Sequence, residues 1–102
     1  MLEIVWTSPA EIHVQRLFAE NENRRVGSGT EFVEGLSGEL DRIREFPESS
    51  PVWFPPFRRL VFHRKLGVFH VLHGRRIVIN GLFPLSMAPQ AILRRLQQTE
   101  WP

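Results

Sequence analysis

Residues 48–57, Glu-Ser-Ser-Pro-Val-Trp-Phe-Pro-Pro-Phe, hold three prolines and divide the chain into halves with different periodicities. Before this segment, apolar residues recur at helical spacing. After it they come in short runs rich in Val, Leu, Ile and Phe, as strands do. Proline fixes φ and lacks an N–H, so the divider itself is expected to carry no regular structure. A helical half followed by a strand half is an α+β arrangement. With 102 residues the chain can build one core, a single domain over 1–102.

Residues 2–6 are short, apolar and β-branched, and suit a first strand. Ser8 is placed to cap a helix, with Pro9 at its first position and Glu11 closing a capping box. Ala10, Val14, Leu17 and Phe18 then form one apolar face, and the helix is expected to fade at Asn21-Glu22-Asn23. A second box, Ser28 to Glu31, opens another helix. Its expected buried stripe is Phe32, Val33, Leu36, Leu40, Ile43 and Phe46, with Glu34, Glu39, Asp41, Arg42 and Glu45 facing water. Pro47 stops it, and the two helices form an antiparallel hairpin. Strands are expected over 58–63, 68–73 and 75–83, joined by a looser turn at 64–67 and a tight one at His73-Gly74, where glycine supplies positive φ. A last amphipathic helix spans about 89–99, with Ile92, Leu93 and Leu96 inward and Arg94 and Arg95 outward. The expected architecture is an N-terminal strand, a helical hairpin, a three-stranded antiparallel meander packed on the helices, and a short C-terminal helix.

Charge divides at the same place. Residues 1–48 carry a local charge of −5, while residues 49–99 carry +8 and no carboxylate side chain. Clustered like charge is self-repulsive, so a surface that keeps it usually meets a negative partner. Strand alternation puts Leu60 and Phe62 toward the helices and leaves Arg59 and His63 on the open face, with the head of Arg58 reaching solvent at the strand's start.

Other readings are narrower. There is no cysteine, which excludes disulfides, thiolate metal sites and a Cys nucleophile. The N-terminus lacks a basic region followed by an apolar run, and no stretch reaches the roughly 20 apolar residues of a membrane span, so a cytoplasmic protein with no membrane contact is expected. His70 and His73 fall on opposite strand faces and cannot converge on one ion, so no metal and no cofactor is expected. His73 reads as a turn residue and His70 as a sheet-face residue. Trp53 to Phe57 reads as a lid over the core's open end, or else as a stacking or docking surface. The C-terminal helix either packs on the sheet or joins a homodimer or partner contact.

Several of these segments resemble the RelE/ParE superfamily, the toxins of type II toxin–antitoxin pairs, often labelled plasmid stabilisation proteins. They are Trp6-Thr7-Ser8-Pro9 with Glu11, Ile43-Arg44-Glu45-Phe46-Pro47, Phe57-Arg58-Arg59-Leu60-Val61, and the run from Gly67 to Ile79. The resemblance covers about residues 2–83. It implies a partner antitoxin, expected to be acidic, whose C-terminal segment wraps the toxin. It also implies one of two activities. RelE-like members cleave ribosome-bound mRNA with basic residues of the meander and an Arg, His or Tyr just past the last strand. ParE-like members poison DNA gyrase and generally lack that set.

Here the post-strand segment reads Gly81-Leu82-Phe83-Pro84-Leu85-Ser86-Met87, and no Arg, Lys, His or Tyr lies between Arg76 and Arg94. Metal-free RNA cleavage needs a base, an acid and cations for the phosphate. His63 or His73 with Arg59 and Arg64 are the catalytic candidates, but none holds the family's post-strand position. The ParE-like reading, inhibition of gyrase by protein binding, is therefore the leading expectation. Arg58, Arg59, His63, Arg64, Lys65, Arg75 and Arg76 are its partner- or phosphate-binding candidates. A non-toxic partner-binding member of the family is the third.

Overall fold

The computed structural model describes residues 2–98. The expected order of elements is present, with one strand more. It runs β1 (Glu3–Trp6), α1 (Ser8–Arg24), α2 (Ser28–Glu45), β2 (Val52–Phe54), β3 (Phe57–Phe62), β4 (Leu66–His73), β5 (Arg76–Pro84) and α3 (Pro89–Gln97). The strands form one five-stranded sheet in the order β1-β5-β4-β3-β2. Strands β2 to β5 are antiparallel neighbours, whereas β1 returns to pair parallel with β5, Glu3 opposite Arg76 and Trp6 opposite Ile79. The expected end of the last helix at Thr99 lies outside the described residues.

The proline-rich divider is not wholly irregular. Pro51 precedes, and Pro55-Pro56 follow, the three residues of β2, so no proline interrupts its pairing with β3. A strand at the sheet's edge tolerates such flanks.

Helix starts also differ from expectation. Thr7, not Ser8, is the N-cap of α1, and its hydroxyl accepts from the Ala10 N–H at 3.3 Å. The same hydroxyl donates to the carbonyl of Ile79 at 2.9 Å, tying the cap to the neighbouring strand. The second capping box does not form. Gly27 is the N-cap of α2, Glu31 turns to Arg25 at 2.7 Å, and the Gly29 N–H is taken instead by Glu22 of α1. Gly29 is where the two helices touch. A Cβ there would lie 2.7 Å from the Phe18 carbonyl, so the close crossing excludes a side chain.

Both faces of the sheet are covered. On one, Ala10, Phe32, Leu36, Leu40 and Ile43 of the helical hairpin pack against Leu60, Phe62, Val68, Ile77, Ile79 and Leu82. On the other, Ile92 and Leu96 of α3 pack on Phe57, Phe69, Val71 and Phe83. The C-terminal helix thus packs on the sheet, and Trp53 closes the same cluster edge-to-face on Phe69, with ring centroids 4.9 Å apart. A β-bulge sets the two faces. Phe69 pairs with Gly81 and His70 with Ile79, leaving Asn80 as the extra residue. Alternation along β5 shifts there, which lets Ile77, Ile79 and Leu82 all face the helices while Phe83 faces α3.

Candidate functional site

The basic residues of the meander do not make one patch. His63, Arg64 and Lys65 lie in the β3–β4 turn, and His73, Arg75 and Arg76 at the β4–β5 turn, all exposed. The eight residues of β4 separate the two groups by roughly 25 Å at the usual strand rise. Arg76 also lies opposite Glu3 of β1, so the second group has an acidic neighbour.

His63, expected on the open side of the sheet, is elsewhere, and Arg58 is engaged at the start of β3. Arg58 shares the helix-facing side with Leu60 and Phe62. Half-buried, its head donates to the Ser50 carbonyl at 2.7 Å, closing the loop after α2. His63 adopts φ 53° in the turn and stacks on Phe62, with centroids 3.9 Å apart. Its Nε2 lies 4.0 Å from where a Cβ on Gly35 would be, so the imidazole leans toward α2. Arg59 keeps the expected face, half-buried opposite Phe69. His63 and His73, the two candidates for proton transfer, sit at opposite ends of β4.

His70 sits within β4, between Arg58 of β3 and Ile79 of β5, and is fully buried. Its Nδ1–H donates to the Val68 carbonyl at 3.1 Å. Burial holds its pKa below the ordinary value, the nearby Arg58 guanidinium adds to that, and the Val68 bond partly opposes both. Among the described residues no group of three or more His, Asp or Glu is placed to hold a metal ion. None of their helices is long and apolar enough to cross a membrane.

Sequence patterning missed an apolar groove between β1 and α2. Ile4 and Trp6 of the edge strand β1 form one wall and Val33, Leu36 and Leu40 of α2 the other, enclosing about 330 Å³. Val14 continues it into a second cleft of about 490 Å³ between the helices, lined by Phe18 and Val33. Phe18 and Val33 were expected inward but are 38 % and 37 % exposed, and Phe46 is 57 % exposed. The signal was available. Val33, Ser37, Leu40 and Arg44 recur at helical spacing as a second stripe beside the buried one of Phe32, Leu36, Leu40 and Ile43. Asp41 and Arg44 edge the groove, and the buried Arg44 Nε has no hydrogen-bond partner there.

No protein-family model and no curated protein matches the sequence. Among solved structures, a chain of the chromosomal ParDE TA system from P. aeruginosa matches with a TM-score of 0.72 at 14 % identity. The match covers 84 % of this chain and 98 % of the other. The two chains share one fold. The resemblance read from Trp6-Thr7-Ser8-Pro9 and the meander is therefore matched by architecture, at an identity too low to carry individual residues across.

Proposed function

We propose that this protein is the toxin component of a type II toxin–antitoxin pair, ParE-like in action. The observation that carries the reading is the fold shared with a chain of the P. aeruginosa ParDE system over 98 % of that chain's length. The antitoxin occupies the groove between β1 and α2. An amphipathic segment would bury its apolar side on Trp6, Val14 and Val33, and an acidic residue on it would reach Arg44. The net positive charge of residues 49–99 lies outside this groove and would add attraction for the acidic remainder of such a partner.

Inhibition of gyrase by protein binding is the preferred action. Residues 81–87 bring no proton-transfer side chain to the end of β5, and His63 and His73 lie too far apart to act on one phosphate. Arg59, Arg64 and Lys65 on and beside β3, with Arg75 at the far turn, are exposed or half-exposed cations that could engage the target.

The test is tightly controlled induction of this chain in a susceptible bacterium, scored by colony counts, with and without the neighbouring gene. Colony loss rescued by that gene supports the pair. Purified protein is then assayed for gyrase supercoiling and for cleavage of ribosome-bound mRNA. Loss of supercoiling with intact transcripts is expected. Transcript cleavage would give the endoribonuclease reading instead, and normal growth with folded protein would favour a non-toxic binding member.

A further inference from the structure

The groove between β1 and α2 has a charge pattern of its own, opposite in sign to that of the meander. Three carboxylates stand at the rim of the groove and its side clefts: Glu11 on α1, and Glu34 and Asp41 on α2. The lining offers a single cation against them, Arg44. All three acids are exposed. The helical hairpin makes two ion pairs among the described residues, Arg25–Glu31 and Arg42–Glu39, and neither involves a rim acid. Glu34 and Asp41 lie about two turns apart on α2, so both fall along one side of the groove.

The lining runs along α2 from Thr30 to Arg44, about 21 Å at the helical rise. Its floor of Trp6, Val14, Val33 and Leu36 suits the apolar stripe of a third helix. The flanks of that helix come to lie over Glu11, Glu34 and Asp41. Acidic flanks would meet like charge there, whereas lysine or arginine would be attracted and paired. Arg44 is the exception. Its Nε is buried without a hydrogen-bond partner, and it calls for one acid.

We propose that the segment seated in this groove is an amphipathic helix of about four turns with basic flanks and one carboxylate at Arg44. The inference rests on the toxin–antitoxin reading for the occupant's identity, which is the antitoxin. The acidic remainder of that partner then meets the basic half, so its charge changes sign along its length. This chain does the same, from −5 over residues 1–48 to +8 over 49–99. Matching two signs fixes the partner's direction, since the reversed placement sets like charges together at both ends.

The test uses the full-length chain and two labelled peptides of about 16 residues that share one leucine stripe at helical spacing. One has lysine flanks and the other glutamate, and binding is read by fluorescence anisotropy. The lysine peptide should saturate with a Kd on the order of 10 µM, and the glutamate peptide should bind about tenfold more weakly. The gap should narrow between about 50 and 500 mM salt. Glu34→Gln with Asp41→Asn should weaken the lysine peptide about fivefold, whereas Glu20→Gln with Glu48→Gln, exposed acids outside the groove, should not. Three results would overturn the inference: equal binding of the two peptides, no saturation of the lysine peptide by about 1 mM, or equal weakening by the two double variants.

The product of the neighbouring gene separates this inference from the toxin reading. Glu34→Lys with Asp41→Lys should weaken its binding to this chain. Tighter or unchanged binding would refute basic flanks and leave the pair intact. If that product does not bind the parent chain while the peptides behave as expected, the toxin–antitoxin reading falls and the groove keeps its preference for a basic-flanked helix.

Discussion

The Nδ1 of His13 accepts the backbone N–H of Leu82 at 3.1 Å, so a side chain of α1 stands where a strand partner would otherwise be. Strand β1 ends at Trp6, opposite Ile79, while β5 continues to Pro84. The outer edge of β5 beyond Ile79 would be left with unpaired N–H groups in a buried setting. Thr7 and His13 cover it in turn, Thr7 at the Ile79 and Asn80 carbonyls and His13 at Leu82.

This bond requires an unprotonated Nδ1, which gives a pH prediction with a definite sign. The His13 and His70 pKa values are both held below the ordinary 6.5, mainly by burial. The unfolded chain therefore takes up protons first as pH falls, and stability drops from about pH 6.5 downward until the folded-state values are passed. Urea unfolding between pH 7.5 and 5.5 should show the midpoint falling. His13→Phe keeps a ring against Phe83 but leaves the Leu82 N–H without its acceptor. It should cost about 1–3 kcal/mol at pH 7.5 and flatten the pH dependence to the part His70 supplies.

Phe69 and Phe83 are each paired across the β4–β5 ladder with a glycine, Phe69 with Gly81 and Phe83 with Gly67. Each ring also folds back over the glycine two residues before it. A Cβ on Gly81 would come within 2.7 Å of the Phe83 ring, and one on Gly67 equally close to Phe69. Gly81→Ala should destabilise by about 1–3 kcal/mol, since the ring must leave its place in the cluster under α3. Gly38→Ala is the contrast. No atom lies within 4 Å of its Cβ position inside α2, and helix propensity predicts a gain of about 0.5–1 kcal/mol. Thermal unfolding of the two variants should move in opposite directions.

Much of this architecture was legible in local chemistry. Pro9 near the start of α1, Pro47 after α2 and Gly74 at φ 62° mark boundaries that depend on single residues and their neighbours. What depends on distant partners was not. The parallel return of β1 to β5 joins residues more than 70 positions apart, and nothing in Glu3–Trp6 announces its neighbour. His13 shares a helical face with Ala10 and Leu17, yet a polar residue there reads as a gap in the stripe until Leu82 is seen beside it. The candidate site suffered most. Arg58 to Arg76 are adjacent in sequence, but an eight-residue strand places the two turns at opposite ends of the sheet, and Arg58 itself is used to hold Ser50.

That division separates Arg58 from Arg59. Arg58→Ala removes a charged donor from a partly buried carbonyl and should cost about 1.5–3 kcal/mol of stability. Arg59→Ala makes no such demand. Its expected effect on the unfolding midpoint is small, about 0.5 kcal/mol or less, with weakened toxicity in the colony assay. A loss of toxicity in Arg58→Ala that tracks lowered soluble protein, beside a loss in Arg59→Ala that does not, would assign target binding to the face that carries Arg59.

The groove between β1 and α2 makes a prediction that neither stability nor toxicity would reveal alone. Val33 is 37 % exposed and lines both this groove and its continuation between the helices. Val33→Asp should leave folding within about 1 kcal/mol, because the side chain has solvent to turn to. An amphipathic antitoxin segment would instead have to bury that carboxylate against its apolar side, an unpaired charge in an interface. Induced alone, the variant should reduce colonies as the parent does. Co-expressed with the neighbouring gene it should still do so, because rescue fails. Full rescue of Val33→Asp would place the antitoxin on another surface.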